Sequence, residues 1–426
     1  MKKKFPVLLV GTGILLLTFF YGCGSSTPNG KNSVGLTFLG DPLGKLVEIN
    51  QSMADEFEKK TGIKVKIEKG SENSTERLAQ IQNFLSAKTS EIDIYQIDVI
   101  WPGMIGEHMI DLHEKIDEKV FFPAIIKNNT FQEKLIAAPF FADAGLLYYR
   151  ADLLAKYGFT NPPDTWDELE TMAKKIMEGE RKDGNSSFWG YVFQGAAYEG
   201  LMCNALEWQT SEEIEGIFAS QTSLNLTGDG SILAADRAAS WVSIISPPGV
   251  TTYKEEESRN VWQSGNAAFM RNWPYAYTLG QNEGSLIKGK FDIARIPAGK
   301  ARYAATLGGW QLGISQYSKH QKEAIEFVKF LTSTGAQKRR AIEGGYIPVS
   351  PEVYDDEEVI KARPYFRLLR EIFTQVVSRP SVVIGKKYNE VSAAYYSQIH
   401  QTLSGQETAS AAMSTAENRI KEIISR

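Results

Sequence analysis

The feature that most constrains the fold is an alternation of strand and helix patterns over residues 34–98. Three short β-rich segments, 34–39, 63–67 and 92–98, flank two segments, 46–57 and 78–85, in which apolar residues recur at helical spacing. Gly62 follows the first helical segment as its expected end. This β-α-β-α-β order predicts an α/β fold with a parallel sheet and helices on its faces.

The N-terminus predicts export from the cytoplasm. Lys2 opens a run of three lysines, an apolar stretch covers residues 7–20, and the small residue Gly22 precedes Cys23. The apolar stretch is too short to favour a spanning helix and is typical of a secretory signal, which we assign to residues 1–22. A Gly-Cys pair at this point resembles a bacterial lipobox, with Phe20 where leucine is usual, so we expect Cys23 to carry lipid. The alternative is an ordinary secretory signal with an incidental cysteine.

The composition after the signal separates a tether from a folded body. Residues 23–33 are rich in Gly, Ser and Asn, which suits a flexible tether and cannot form a core. The chain that follows is too long for one ordinary core and predicts two domains. The full chain has a net charge of −4, and removal of the three signal lysines makes it more acidic still, which argues against a nucleic-acid partner.

Several later segments carry helix signals. Thr165 and Glu168 form a capping box for a helix whose expected end is Gly179, and Ser318 with Gln321 indicates a second helix start. The tail over residues 408–424 predicts a surface helix. The acidic cluster at 355–358 is interpreted as a helix start in preference to a metal site, and the basic run 338–340 as a solvated helix face.

No pattern of catalytic residues stands out. The four histidines fit no metal-binding motif, no phosphate-binding loop or nucleophile elbow occurs, and Cys203 lies in an apolar run typical of a buried cysteine. Two carboxylates that meet in space could still cleave a glycoside, and the sequence alone leaves this open. We predict no catalytic residue, no metal and no cofactor.

Aromatic residues next to Gly or Pro suggest a ligand site. Trp273 precedes Pro274, and Trp310 follows Gly308 and Gly309. Such positions suit loops that present a ring to a cleft, where a flat indole can cover the apolar face of a sugar. Packing of both rings in the core is the equally weighted alternative.

Four stretches carry a family resemblance, namely residues 143–150, 188–201, 271–276 and 305–310. In them, and from about Leu36 to the C-terminus, the chain resembles the extracellular solute-binding proteins of carbohydrate ABC importers, of the trehalose/maltose-binding type. The resemblance implies a two-lobe periplasmic-binding-protein fold with crossing hinge strands and the ligand in the cleft. The first lobe would comprise residues 34–142 and 305–350, and the second 143–304 and 351–426.

The resemblance also implies which residues contact the sugar. Carboxylates would accept hydrogen bonds from hydroxyls, guanidinium groups would donate, indole rings would stack, and glycines would allow close backbone approach. The residues concerned are Arg77, Asp98, Phe141, Asp143, Trp273, Tyr275, Gly308, Gly309, Trp310 and Arg379.

Two departures from the family pattern affect the choice of sugar. A contacting glutamate of the first-lobe loop has no counterpart in residues 41–46, where Asp41 or Glu48 is the candidate substitute. A contacting tyrosine is replaced by Phe141. A trehalose- or maltose-like α-linked disaccharide and a glucosylated polyol are therefore equal candidates.

We accordingly expect a monomeric, lipid-anchored, extracytoplasmic protein that captures a small saccharide and delivers it to the permease subunits of an ABC importer. The alternatives are a membrane-anchored glycoside-processing enzyme and a sugar sensor coupled to a signalling receptor.

Overall fold

The computed structural model describes residues 35–426, except residues 41, 43–44, 72–73, 214–217 and 219–222. The predicted signal segment, the tether, Cys23 and Asp41 lie outside the described residues. No helix in the described ranges is long and apolar enough to cross a membrane.

Strands and helices alternate along the chain. The strands are β1 Gly35–Gly40, β2 Lys64–Lys69, β3 Ile94–Asp98, β4 Thr130–Phe131, β5 Lys134–Leu135, β6 Ala138–Ala144, β7 Leu146–Arg150, β8 Trp189–Val192, β9 Ala267–Asn272, β10 Phe291–Ala294, β11 Ala305–Ile314 and β12 Val376–Val377. The helices are α1 Leu46–Thr61, α2 Ser74–Ser86, α3 Pro102–Ile105, α4 Pro123–Asn129, α5 Ala151–Lys156, α6 Trp166–Lys182, α7 Glu199–Glu212, α8 Asp229–Trp241, α9 Glu255–Gln263, α10 Tyr275–Gly280, α11 Gln321–Thr332, α12 Thr334–Gly344, α13 Glu357–Ala362, α14 Phe366–Phe373, α15 Ser381–Ile384, α16 Tyr388–Leu403 and α17 Ala409–Ser425.

The predicted β-α-β-α-β segment forms one side of a six-stranded mixed sheet. β1 pairs in parallel with β2 and with β3, as the sequence pattern predicts. β11 then pairs antiparallel with β3 and with β6, and in parallel with β12. Helix α1 ends at Gly62, whose φ of +76° is a left-handed conformation that glycine adopts without strain. The prediction of a helix stop at this residue is confirmed.

A four-stranded sheet in the order β10-β7-β9-β8 forms the second layer of strands. The chain enters it directly from the first sheet, because Gly145 alone separates β6 from β7. It returns between β10 and β11. Helices α16 and α17, at the end of the chain, pack against α7 and α8. In hinged proteins a few residues at such crossings absorb the change in φ and ψ when the two parts move.

Residues 351–387 lie close to the six-stranded sheet. β12 belongs to that sheet, the ring of Phe373 stacks on Phe122 at 5.8 Å, and a Cβ at Gly103 would lie 2.4 Å from the carbonyl oxygen of Ser381. These contacts favour grouping this segment with the first lobe. The lobe boundaries themselves, including the one at residue 350, stay a prediction.

Two predicted helix signals have another role in the structure. Helix α6 has the predicted capping box but continues past Gly179 to Lys182. A Cβ at Gly179 would lie 2.2 Å from the Tyr157 ring, so this glycine admits a ring and does not end the helix. The predicted helix start near Ser318 is confirmed, since α11 begins at Gln321, but Ser318 does not cap the helix and its hydroxyl donates to the buried carboxylate of Asp93.

The basic run 338–340 is only partly a solvated face, so that interpretation was wrong for Arg340. Its side chain is 1 % exposed and donates to the carbonyl oxygens of Leu331, at 2.6 Å, and Phe140, at 2.9 Å. Burial lowers the pKa of Arg340 to about 9. By contrast, the acidic cluster is a helix start as predicted, since the Asp356 carboxylate accepts from two amides of the first turn of α13.

Candidate functional site

Strand β11 organises the predicted site because it carries three predicted residues in succession and lies between β3 and β6. Trp310 pairs with Asp98 on one side and with Phe141 on the other, and Gly308 pairs with Asp143. The register of the sheet therefore brings together most of the predicted ligand contacts, which are Asp98, Phe141, Asp143, Gly308, Gly309 and Trp310.

The Trp310 ring is held by an arginine and by a second indole. The Arg77 guanidinium carbon lies 4.2 Å from the Trp310 ring centroid, and the buried Trp101 ring meets Trp310 edge-on at 5.6 Å. Arg77 is 1 % exposed and donates to the carbonyl oxygen of Ser71 at 3.1 Å. A Cβ at Gly70 would lie 2.6 Å from Arg77 Cδ, so this glycine makes room for the arginine. The indole is thus fixed from two sides.

Trp273 approaches β11 from the other sheet, at the end of β9. A Cβ at Gly308 would lie 3.0 Å from the Trp273 ring and 3.1 Å from Asp143 Cβ. The Tyr148 hydroxyl donates to the Trp273 carbonyl oxygen at 2.7 Å, and the indole Nε1 donates to Glu255 at 3.3 Å. The half-buried ring therefore packs against the glycine backbone of β11.

Gly309 is more restricted than Gly308 in both backbone conformation and space. Its φ is +117°, a conformation that side chains rarely adopt, and a Cβ there would lie 2.5 Å from the Phe141 carbonyl oxygen. The Gly308-Gly309 pair thus serves two purposes, since the first admits an indole ring and the second permits the strand geometry.

Arg379 joins two carboxylates. Its Nη1 donates to Glu199 at 3.0 Å, and its Nη2 lies 3.6 Å from the Asp98 carboxylate. Glu199 also accepts from the hydroxyls of Tyr388 and Ser392. Because Asp98 ends a strand of the six-stranded sheet and Glu199 begins α7, the guanidinium links two parts of the chain that are far apart in sequence.

Asp98 is poorly solvated although it is close to positive charge. Burial raises the pKa of its carboxyl group above the usual value, and the Glu199 carboxylate acts in the same direction. Arg379, the Ile100 amide and Arg77 oppose this effect by stabilising the charged form. A ligand hydroxyl would supply a further hydrogen bond to the charged carboxylate.

Two predicted residues have less direct positions. The Phe141 ring is buried against the Tyr346 ring, with centroids 5.0 Å apart. Tyr275 is 37 % exposed at the start of α10, and its hydroxyl donates to Glu256 at 2.6 Å. A sugar contact by Tyr275 stays a prediction.

Cys203 is a buried structural residue, as predicted. Its side chain is 1 % exposed, burial raises the pKa of its thiol to about 12, and its carbonyl oxygen accepts from the Thr306 hydroxyl at 2.9 Å. A thiol with such a pKa is not a nucleophile at neutral pH. In the described residues, no three His, Cys, Asp or Glu side chains group as metal ligands would.

Sequence reasoning assigned no role to Glu199 and Trp101, both of which belong to this constellation. Glu199 lies in one of the stretches that carry the family resemblance, but its pairing with Arg379 spans 180 positions and no local pattern encodes it. Trp101 precedes Pro102, which is the same signal that singled out Trp273.

The sequence matches a protein family and a named relative over most of its length. A family model described as bacterial extracellular solute-binding protein matches residues 44–338. A Deinococcus radiodurans protein named "Probable ABC transporter-binding protein" is 48% identical over 396 residues, which cover 92% of this chain and 94% of that protein.

Solved structures agree with the sequence matches. Maltose-bound T. maritima MalE3 is 35% identical, with a TM-score of 0.83 over 92% of this chain and 100% of that one. A solute-binding protein of Thermotoga lettingae bound to α-D-tagatose is 22% identical, with a TM-score of 0.79 over 92% and 100% of the two chains. These matches confirm the predicted two-lobe α/β fold.

Proposed function

Because the chain belongs to the family of bacterial extracellular solute-binding proteins, we propose that it captures a trehalose- or maltose-like α-linked disaccharide, or a glucosylated polyol, and delivers it to a membrane permease. Membership of this family makes the chain the extracytoplasmic, sugar-binding component of an ABC importer and not an enzyme. The identity of the sugar and its delivery to the permease are what we propose beyond family membership.

The observation that carries the proposal is the position of charged groups beside the Trp310 ring. Asp98 pairs with Trp310 across the sheet, the Arg77 guanidinium covers the ring at 4.2 Å, and Arg379 lies 3.6 Å from Asp98. A sugar has an apolar C–H face that suits an indole, and a rim of hydroxyls that suits carboxylate and guanidinium groups.

A second indole supports a ligand with two rings. Trp273 comes from the four-stranded sheet and packs against Gly308, two residues before Trp310 in β11. Each ring of a disaccharide would then have its own aromatic surface, with one from each lobe. The maltose bound to T. maritima MalE3 is a disaccharide of this kind.

Phe141 bears on the choice among these sugars. A phenylalanine offers no hydroxyl where the resemblance implies a contacting tyrosine, and one hydrogen bond contributes about 0.5–1.5 kcal/mol net. A sugar that depends on this contact should therefore bind less tightly than one that does not. A glucosylated polyol is therefore as good a candidate ligand as maltose or trehalose.

The experiment is calorimetric titration with maltose, trehalose and glucosylglycerol, using the protein and two matched aspartate variants. Asp98→Asn should weaken binding strongly, because the carboxylate lies beside Trp310. Asp292→Asn, at an exposed position of strand β10, should leave binding unchanged. If none of the three compounds binds the unsubstituted protein, the proposed ligand class is wrong. If both variants bind equally well, the proposed site is wrong.

We also propose attachment to the outer face of the cell membrane through lipid on Cys23, which lies outside the described residues. Stable anchoring requires more than one acyl chain. Lipidation at a lipobox cysteine would supply these chains. Cys23→Ser should release the protein into the soluble fraction, while Cys203→Ser, at the buried cysteine, should leave it in the membrane fraction. An unmodified Cys23 in the mature protein, seen by mass spectrometry, would contradict the proposal.

A further inference from the structure

A fully buried ion pair supports the Trp273 ring. Arg271, two residues before Trp273, donates from Nε and Nη2 to the Glu207 carboxylate at 3.0 and 2.6 Å, and both side chains are 0 % exposed. Its Nη1 donates to Gln194 at 3.2 Å. The guanidinium carbon lies 4.1 Å from the Trp273 ring centroid, so one face of the indole is covered by the arginine.

The same ion pair contacts Gly145, which joins β6 to β7, and the start of β11, where the chain returns to the six-stranded sheet. The Thr306 amide of β11 donates to Glu207 at 3.0 Å. At Gly145, between β6 and β7, a Cβ would lie 2.0 Å from Glu207 Oε1 and 2.6 Å from Arg271 Nη2. The absence of a side chain at Gly145 therefore makes the space that the ion pair occupies.

Stability alone is a weak reason for such a pair. Removing two charges from water costs several kcal/mol for each ion, and well-packed apolar residues of the same volume are often equally stable. Although burial by itself would lower it, the Glu207 carboxylate raises the pKa of Arg271, so the guanidinium is charged. What apolar residues would not supply is a planar group that binds both oxygens of a carboxylate and also covers an indole ring.

We propose that Arg271 and Glu207 are positioning residues of the ligand site, which hold the Trp273 ring as a stacking surface and tie it to the crossing at Gly145 and to the start of β11 at Thr306. They act through Trp273. The effect on affinity rests on the proposed function, in which a sugar stacks on that ring.

The test compares two arginine-to-lysine variants. Arg271→Lys keeps the charge but loses the planar group, and maltose affinity should fall about tenfold. In a Trp273→Ala background the same substitution should cause no further loss, because the arginine acts through the ring. Arg237→Lys is the matched control, since Arg237 binds Glu212 at 2.5 Å on helices α8 and α7. It should leave maltose affinity unchanged.

A second measurement does not need a sugar. The indole N–H resonance of Trp273, assigned through Trp273→Phe in ¹⁵N-labelled protein, should shift in Arg271→Lys and stay in place in Arg237→Lys. If the unsubstituted protein does not bind maltose, the Trp273 resonance alone tests whether Arg271 positions the ring. Failure of the proposed sugar can therefore be told apart from failure of the proposed positioning role. If Arg271→Lys fails to fold, the apolar pair Arg271→Met with Glu207→Leu is measured in the same way.

The proposal is overturned if the Trp273 resonance is unchanged in the folded Arg271 variant. It is also overturned if the loss of maltose affinity is the same with and without the Trp273 ring, since the arginine would then act by another route.

Discussion

The adjacent glycines of β11 allow a prediction in which one methyl group has two different effects. In Gly308→Ala, the new Cβ would lie 3.0 Å from the Trp273 ring and 3.1 Å from Asp143 Cβ, so these side chains must move by a few tenths of an ångström. In Gly309→Ala, the new Cβ would lie 2.5 Å from the Phe141 carbonyl oxygen at a φ of +117°. The first obstacle is a ring that can shift, whereas the second is backbone in the centre of a sheet.

The expected magnitudes follow from this difference. Gly309→Ala combines backbone strain of about 1–3 kcal/mol with overpacking of about 1–3 kcal/mol, so the free energy of unfolding should fall by roughly 2–6 kcal/mol. Gly308→Ala displaces a stacking ring, and a loss of about 0.5–1.5 kcal/mol in binding corresponds to a two- to tenfold lower affinity for sugar. Its free energy of unfolding should fall by less than that of Gly309→Ala.

Denaturant unfolding and calorimetric titration with maltose measure the two quantities. Gly335→Ala is the matched control, because a Cβ at Gly335 in α12 meets nothing within 4 Å and alanine favours a helix. It should preserve both stability and affinity. The reasoning is refuted if Gly309→Ala unfolds at the wild-type midpoint, or if Gly308→Ala loses as much stability as Gly309→Ala while binding normally.

Three further predictions concern stacking, titration and closure. Trp273→Ala and Trp310→Ala should each weaken sugar binding by roughly 2–4 kcal/mol, and Trp310→Ala should also lower the unfolding free energy because its ring packs on Trp101; unchanged titrations with both variants would remove these rings from the site. Burial raises the folded-state pKa of Asp98 above 3.8, so its contribution to stability should decline as pH rises from 3.8 through that raised value. Asp98→Asn should remove this decline in pH-dependent denaturation, and identical profiles would contradict the assignment. Saturating maltose should reduce the radius of gyration in small-angle scattering, because a sugar held by both lobes favours their closed arrangement, and Asp98→Ala should require more maltose for the same change; equal scattering with and without bound sugar would exclude closure.

The local pattern predicted the first three strands and both intervening helices, because the apolar spacing that identifies each segment lies within the segment itself. It could not predict the partners of β11, whose residues pair with positions about 200 earlier in the chain in β3. Periodicity identifies which face is buried and carries no information about the strand that covers it. Gly179 shows the same limit, since its partner is the Tyr157 ring and not the end of a helix.

The site was predicted mainly by family resemblance, because the residues alone could not separate core packing from ligand contact. Core packing and ligand contact were equal alternatives for Trp310, and the ring is in fact half-buried, with Trp101 at its edge and Arg77 over its face. Tertiary structure brings together Glu199 with Arg379 and Arg271 with Glu207. No local sequence motif predicts either contact. Which of the ten predicted residues touch the sugar stays a prediction.

The position of β11 has a consequence for the lifetime of the protein outside the cell. This strand hydrogen-bonds to β3, β6 and β12, so local opening of the six-stranded sheet must separate it from at least one of them. A sugar bound on β11 would oppose that opening by about 2.7 kcal/mol at a concentration one hundred times its dissociation constant. We therefore expect extracellular proteases to degrade the empty protein faster than the loaded one, so that the amount of carrier retained would follow the supply of sugar.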